Sequence, residues 1–243
     1  MCAATSTPSV VGESENDPPL AAVPGRHYRI VSSMHPPVAL FEGLVAPERM
    51  AEVFELEAIT NDRLREPVGR LHLVRPEDRL SAPGASPVMS AFTQVSVHRP
   101  SRFSDGTYGV HYVGRSLETA ISETRHHRER FMAATAEAPG ELDLQVYVGE
   151  VARPLHDLRG AGFEDLHTAH DWRAGQRCGW RLRAKGSWGV VYRSVRHTGG
   201  ECIGALRPPA VTIPRPSIHL GYVWDGERII RVYHKRLLTP HPR

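Results

Sequence analysis

Cysteine is scarce in this chain of 243 residues. Cys2, Cys178 and Cys202 are too few and too scattered for a disulfide framework or a thiolate zinc site. The run of about 18 apolar residues that a bilayer span requires is missing. The N-terminus lacks a basic flank followed by an apolar stretch, so no secretion signal is read there and the cytoplasm is the expected location. No Gly-x-Gly-x-x-Gly follows a strand, no loop ends in Gly-Lys-Ser or Gly-Lys-Thr, and no Gly-x-Ser-x-Gly is present. His-Glu-x-x-His is also missing. His126 and His127 sit side by side on a predicted helix, where neighbours point about 100° apart, so no metal is expected. Neither sign of charge dominates. A formal net charge of +3 does not imply direct contact with nucleic acid. It suits a phosphate-bearing substrate, and it equally suits a mildly basic surface.

What is present is the composition of a folded domain, with 40% hydrophobic and 23% charged residues. Residues 1–24 carry Pro8, Pro18, Pro19 and Pro24 with almost no apolar periodicity, and read as a flexible tail. Residues 25–243 read as one domain without repeat or long linker. His27–Val31 is a strand candidate that places Tyr28 and Ile30 on one face and Arg29 on the other. Residues 47–61 read as a helix, Leu71–Val74 as a weak strand, and Val88–Val97 as a strand ended by Pro100. Asp105-Gly106 marks a turn. Tyr108, Val110 and Tyr112 alternate on one strand face. Ser116 caps a helix over Leu117–Ala134, whose buried stripe is Leu117, Ala120, Ile121 and Thr124. Glu123 lies at the edge of that stripe, free to face a cleft. Leu142–Val148 follows as a strand, Leu155–Leu158 as a turn and Trp172–Ala184 as a helix weakened by Gly175 and Gly179. Trp188–Val191 and Cys202–Leu206 are short strands. Leu220–Trp224 and Arg228–Tyr233 form a hairpin around Asp225-Gly226. The expected class is α+β, a largely antiparallel sheet core with flanking helices.

Composition does not reveal the substrate. The polar residues with the best placement are Tyr28, Arg29, Arg102, Tyr112, Glu123 and Ser194. Together they have one coherent use. Cleavage of an N-glycosidic bond to nicotinamide builds oxocarbenium character, which a fixed carboxylate stabilises. Arginines clamp a pyrophosphate, and tyrosines stack on the bases. Each residue also has a plain reading: Glu123 as a solvated helix residue, Tyr112 as a packed aromatic, Arg102 and Arg29 as surface groups. Ser194 alone carries almost no information.

Five separated stretches resemble the RES family, named for its Arg, Glu and Ser. They are Tyr28-Arg29, Arg102-Phe103, Tyr112, Ala120-Ile121-Ser122-Glu123, and Gly189 through Arg196 (GVVYRSVR). Ser101 and Ser104 replace the commoner Gly and Asn around Arg102-Phe103. Arg193 stands where Pro is common. Residues 32–99 look like a family-variable insertion. The resemblance implies a fold similar to ADP-ribosyltransferase toxins and the toxin half of a type II toxin–antitoxin pair, neutralised by a Xre-like antitoxin over the active site. It implies NAD+ as substrate, consumed by hydrolysis or phosphorolysis with arrest of growth. The alternative is mono-ADP-ribosylation of a protein such as phosphoribosyl pyrophosphate synthetase. Relatives often form dimers within larger complexes. On this resemblance Arg29 and Arg102 hold phosphates, Tyr28 stacks beneath Arg29, Tyr112 positions the nicotinamide, Glu123 fixes the ribose, and Ser194 supports the substrate.

Overall fold

A computed structural model describes residues 17–33 and 70–236. The helix expected at 47–61 and most of the expected insertion lie outside them. Nine strands form one sheet: β1 (Leu20–Ala21), β2 (Arg26–Ser32), β3 (His111–Gly114), β4 (Gly140–Glu150), β5 (Leu155–Asp157), β6 (Gly189–Arg193), β7 (Glu201–Ala205), β8 (Arg215–Trp224) and β9 (Ile229–Lys235). Their order is β1-β5-β6-β7-β3-β2-β4-β8-β9. Every pairing is antiparallel except β5 with β6. Among the described residues three α-helices flank the sheet: α1 (Ser86–Thr93), α2 (Leu117–Ala134) and α3 (Arg173–Ala184). The α+β expectation holds.

The ladder is weakest at its centre. β2 and β3 share a single residue pair, Tyr28↔Gly114. Beyond it β2 follows β4 along Arg26–Ser32, while β3 follows β7 along His111–Gly114. The sheet therefore forks into two halves. One core fills the α1 side with Val88, Met89, Phe92, Val113 and Ile203. A second surrounds Phe103, Leu182 and Tyr192, and a third lies under α2 with Leu144, Tyr222 and Trp224. Tyr28 and Ile30 pack with Leu117 and Ile121 in that third core, so α2 covers this face of β2.

α2 spans the expected residues, and Ser116 caps it by accepting the Thr119 N–H at 3.1 Å. The β8–β9 hairpin turns at Asp225, whose N–H reaches the Arg228 carbonyl. Tyr108 and Val110 are buried in the core that Tyr112 lines, but the strand begins only at His111.

Four readings need correction. Val88–Val97 is not a strand: Ser86–Thr93 is helical, because Ala85, Val88, Met89 and Phe92 recur at helical spacing and Pro87 is accommodated in the first turn. Leu71–Leu73 is a 3-10 turn, with Leu71 buried against α1. Leu155–Asp157 is a strand held between β1 and β6. Residues 17–24 are not a free tail: Leu20–Ala21 pair with β5, Val23 is buried, and Asp17 meets Lys185 at 2.7 Å.

Candidate active site

The fork opens into a cleft of about 630 Å³ between the two half-sheets, roofed by α2. Tyr28, Arg29, Arg102, Tyr112 and Glu123 all line it. Among the described residues, six arginines face it (Arg29, Arg99, Arg102, Arg128, Arg130 and Arg196), against Glu123 as the single carboxylate. Such a cleft attracts a polyanion and reserves one negative charge for a specific task.

Arg29 lies one residue past the last β2–β3 pair. Its Nη1 crosses the fork to donate to the Tyr112 carbonyl at 3.0 Å, taking the place of a strand partner. Its Nε is buried without a hydrogen-bond partner among the described residues. Burial alone lowers its pKa to about 10. A buried guanidinium without a carboxylate is costly unless a ligand anion completes it.

Glu123 is held from the other half. Thr119 and Glu123 are one helical turn apart on α2 and face the loop after β6. Thr119 Oγ1 meets His197 Nδ1 at 2.8 Å, and Ser194 Oγ donates to Glu123 Oε1 at 2.6 Å. Ser194 Oγ in turn accepts the Arg196 and His197 N–H groups at 3.1 and 3.0 Å. Its proton thus has one direction, toward the glutamate. The buried Cys202 thiol lies 3.7 Å from the same Oε1, and burial foremost raises its pKa, so it stays a weak neutral donor. Oε2 has no hydrogen-bond partner among the described residues.

The remaining expected residues are brought to the cleft but already have protein partners. Arg102 Nη1 donates to the Leu166 and Thr168 carbonyls at 2.8 and 2.9 Å, and its guanidinium lies over Tyr192. The Tyr112 hydroxyl accepts the Phe103 N–H at 2.9 Å and pairs with Ser101 Oγ at 2.9 Å. Burial, its largest influence, pushes that phenol up to about 12, so it stays protonated. Its ring contributes to the wall while its hydroxyl fixes the 101–103 loop. Ser194 itself does not line the cleft; its hydroxyl meets Glu123, which does.

Residues 73–225 match the sequence model described as the RES domain. The uncharacterized protein y4oC of Sinorhizobium fredii is 30% identical over 212 residues, covering 87% of this chain and 88% of the relative. This chain belongs to the RES domain family. A coarser likeness joins the RES chain to the crystal structure of the M. tuberculosis MbcT-MbcA toxin–antitoxin complex, with 11% identity, a TM-score of 0.44, and coverage of 85% of this chain and 87% of that one.

Arg29 precedes the matched RES segment, yet the fork places it opposite Glu123's helix. Sequence reasoning missed Trp172 and Cys202 and gave no role to Tyr192 and Arg196 within the quoted GVVYRSVR stretch, though all four line the RES cleft. Tyr192 and Cys202 are cross-strand partners, which only the β6–β7 register reveals. Trp172 read as a helix residue, whereas it precedes the first turn of α3. Among the described residues, no group of three or more His, Cys, Asp or Glu is placed to hold a metal, and no helix is long and apolar enough to cross a membrane.

Proposed function

We propose that this RES chain is a toxin that cleaves the nicotinamide–ribose bond of NAD+. The observation that carries the reading is the pairing of one oriented carboxylate, Glu123, with a buried guanidinium, Arg29, that has no acidic partner among the described residues, across one cleft. Glu123 stabilises positive charge at the anomeric carbon and orients the ribose hydroxyls as the bond breaks. Arg29 takes the pyrophosphate, assisted by the part of the Arg102 guanidinium not committed to Leu166 and Thr168. The Tyr28 and Tyr112 rings flank the bound bases. Ser194 keeps Glu123 aimed. Nicotinamide leaves as a neutral molecule and takes the bonding pair, so no metal is called for in this step.

Water, phosphate or a protein side chain then captures the ribosyl carbon. A Xre-like antitoxin, as family membership suggests, covers the mouth of the cleft, where Phe131 is 49% exposed. The test incubates partner-free protein with NAD+ under three conditions: without phosphate, with phosphate, and with host lysate. Mass-resolved chromatography identifies the product. ADP-ribose identifies hydrolysis, ADP-ribose-1″-phosphate identifies phosphorolysis, and a protein mass gain identifies transfer. Folded protein that releases no nicotinamide in any arm overturns the reading.

A further inference from the structure

Trp172 offers a donor that no described residue uses. Its ring lines the cleft and its Nε1 is buried without an acceptor among the described residues. The contrast with Trp224 is direct. Trp224 is buried whole where Trp172 is only partly so, and its Nε1 donates to the Glu137 carbonyl at 3.0 Å. Buried N–H groups are paired in the great majority of cases, and an orphan in a cleft is the type of group a ligand satisfies.

The segment leading to Trp172 is fastened at several points. Arg102 grips the carbonyls of Leu166 and Thr168, and Arg196 Nη2 grips that of Ala169 at 3.0 Å. His167 Nε2 accepts the Arg193 N–H at 3.1 Å. Behind it, Gly175 lets α3 sit directly on Arg102, since a Cβ there would lie 2.3 Å from the Arg102 carbonyl oxygen. Two cleft arginines thus set the wall that presents the indole. A donor fixed before binding costs little entropy to use.

We infer that Trp172 is a substrate-binding residue whose indole N–H donates to an acceptor oxygen of the dinucleotide, while Arg102 and Arg196 position it. The inference rests on the NAD+ reading above. The test uses Glu123→Gln protein, which keeps the cleft and turns NAD+ over at least a hundredfold more slowly, labelled with ¹⁵N at its indoles. Trp172→Phe in the same background identifies the Trp172 resonance. Addition of NAD+ shifts that resonance, and ADP-ribose and nicotinamide added separately tell which end carries the acceptor. In the active protein Trp172→Phe raises KM about tenfold with kcat nearly unchanged, the loss of one hydrogen bond common to ground and transition states. NAD+ that binds without moving the Trp172 resonance, or an unchanged KM in Trp172→Phe, overturns the inference and leaves the NAD+ reading standing. Absence of both NAD+ binding and nicotinamide release overturns the two together.

Discussion

A hydrogen bond of 2.6 Å joins Ser194 to Glu123, and on the proposed function it dictates how each substitution should behave. Glu123→Gln keeps the shape but loses the charge. It should lower kcat at least a hundredfold while NAD+ still binds, which isothermal titration beside nicotinamide release can check. Ser194→Ala leaves the carboxylate in place but unaimed. A hydrogen bond to a charged group is worth roughly 1.5–3 kcal/mol, so kcat should fall about tenfold to a hundredfold with little change in KM. Ser194→Ala protein with full turnover would remove the positioning role. Arg29 adds a pH signature. Its burial-lowered pKa of about 10 keeps it charged below that value. Affinity for NAD+ should therefore persist to about pH 10 and fall as the pH rises through it, a loss that Arg29→Ala shows at every pH. Arg29 and Glu123 could be read from sequence because each stands in a patterned element, a strand face and a helix edge. Ser194 has no such pattern and came only through the family resemblance, because its contact is with a partner 71 residues away.

At the level of elements, the glycines of α3 changed meaning. Read along the chain, Gly175 and Gly179 weaken a helix. In three dimensions they are where α3 meets the 101–104 loop backbone to backbone, since Cβ atoms there would lie 2.3 and 2.2 Å from the Arg102 and Phe103 carbonyl oxygens. Gly175→Ala should raise intrinsic helix propensity yet push α3 outward, lowering both Tm and NAD+ turnover. An unchanged Tm and rate would show that the contact yields. α2 was readable to its ends because cap, stripe and length agree. α1 was misread because a short apolar run does not declare its period when proline interrupts it. β1 escaped notice because two residues among prolines have no pattern of their own, and only β5 makes them a strand.

Across the whole molecule the fork is also where titration should tell. His27 and His111 are fully buried, their rings 6.2 Å apart, with no ring nitrogen bonded among the described residues. Burial first, then Arg29 and Arg115, lowers His27 to about 4 from 6.5, and burial lowers His111 in the same direction. The unfolded chain takes up protons as the pH drops through 6.5, whereas the folded chain resists until about 4. Stability is therefore complete at neutral pH and is lost across that window, by about 3 kcal/mol for His27. Urea unfolding at pH 7 and pH 5 measures the drop, and His27→Leu should shrink it; equal drops in both proteins would dismiss His27 as the source. Halves whose strand ladder narrows to one residue pair, with Arg29 and Arg115 bridging beside it, behave as the two sides of an arch. A dinucleotide lodged between Arg29 on one side and Tyr192 on the other would be its keystone. The empty protein should come apart in two thermal steps, and the Glu123→Gln protein filled with NAD+ in one, at a temperature that climbs with each increment of ligand.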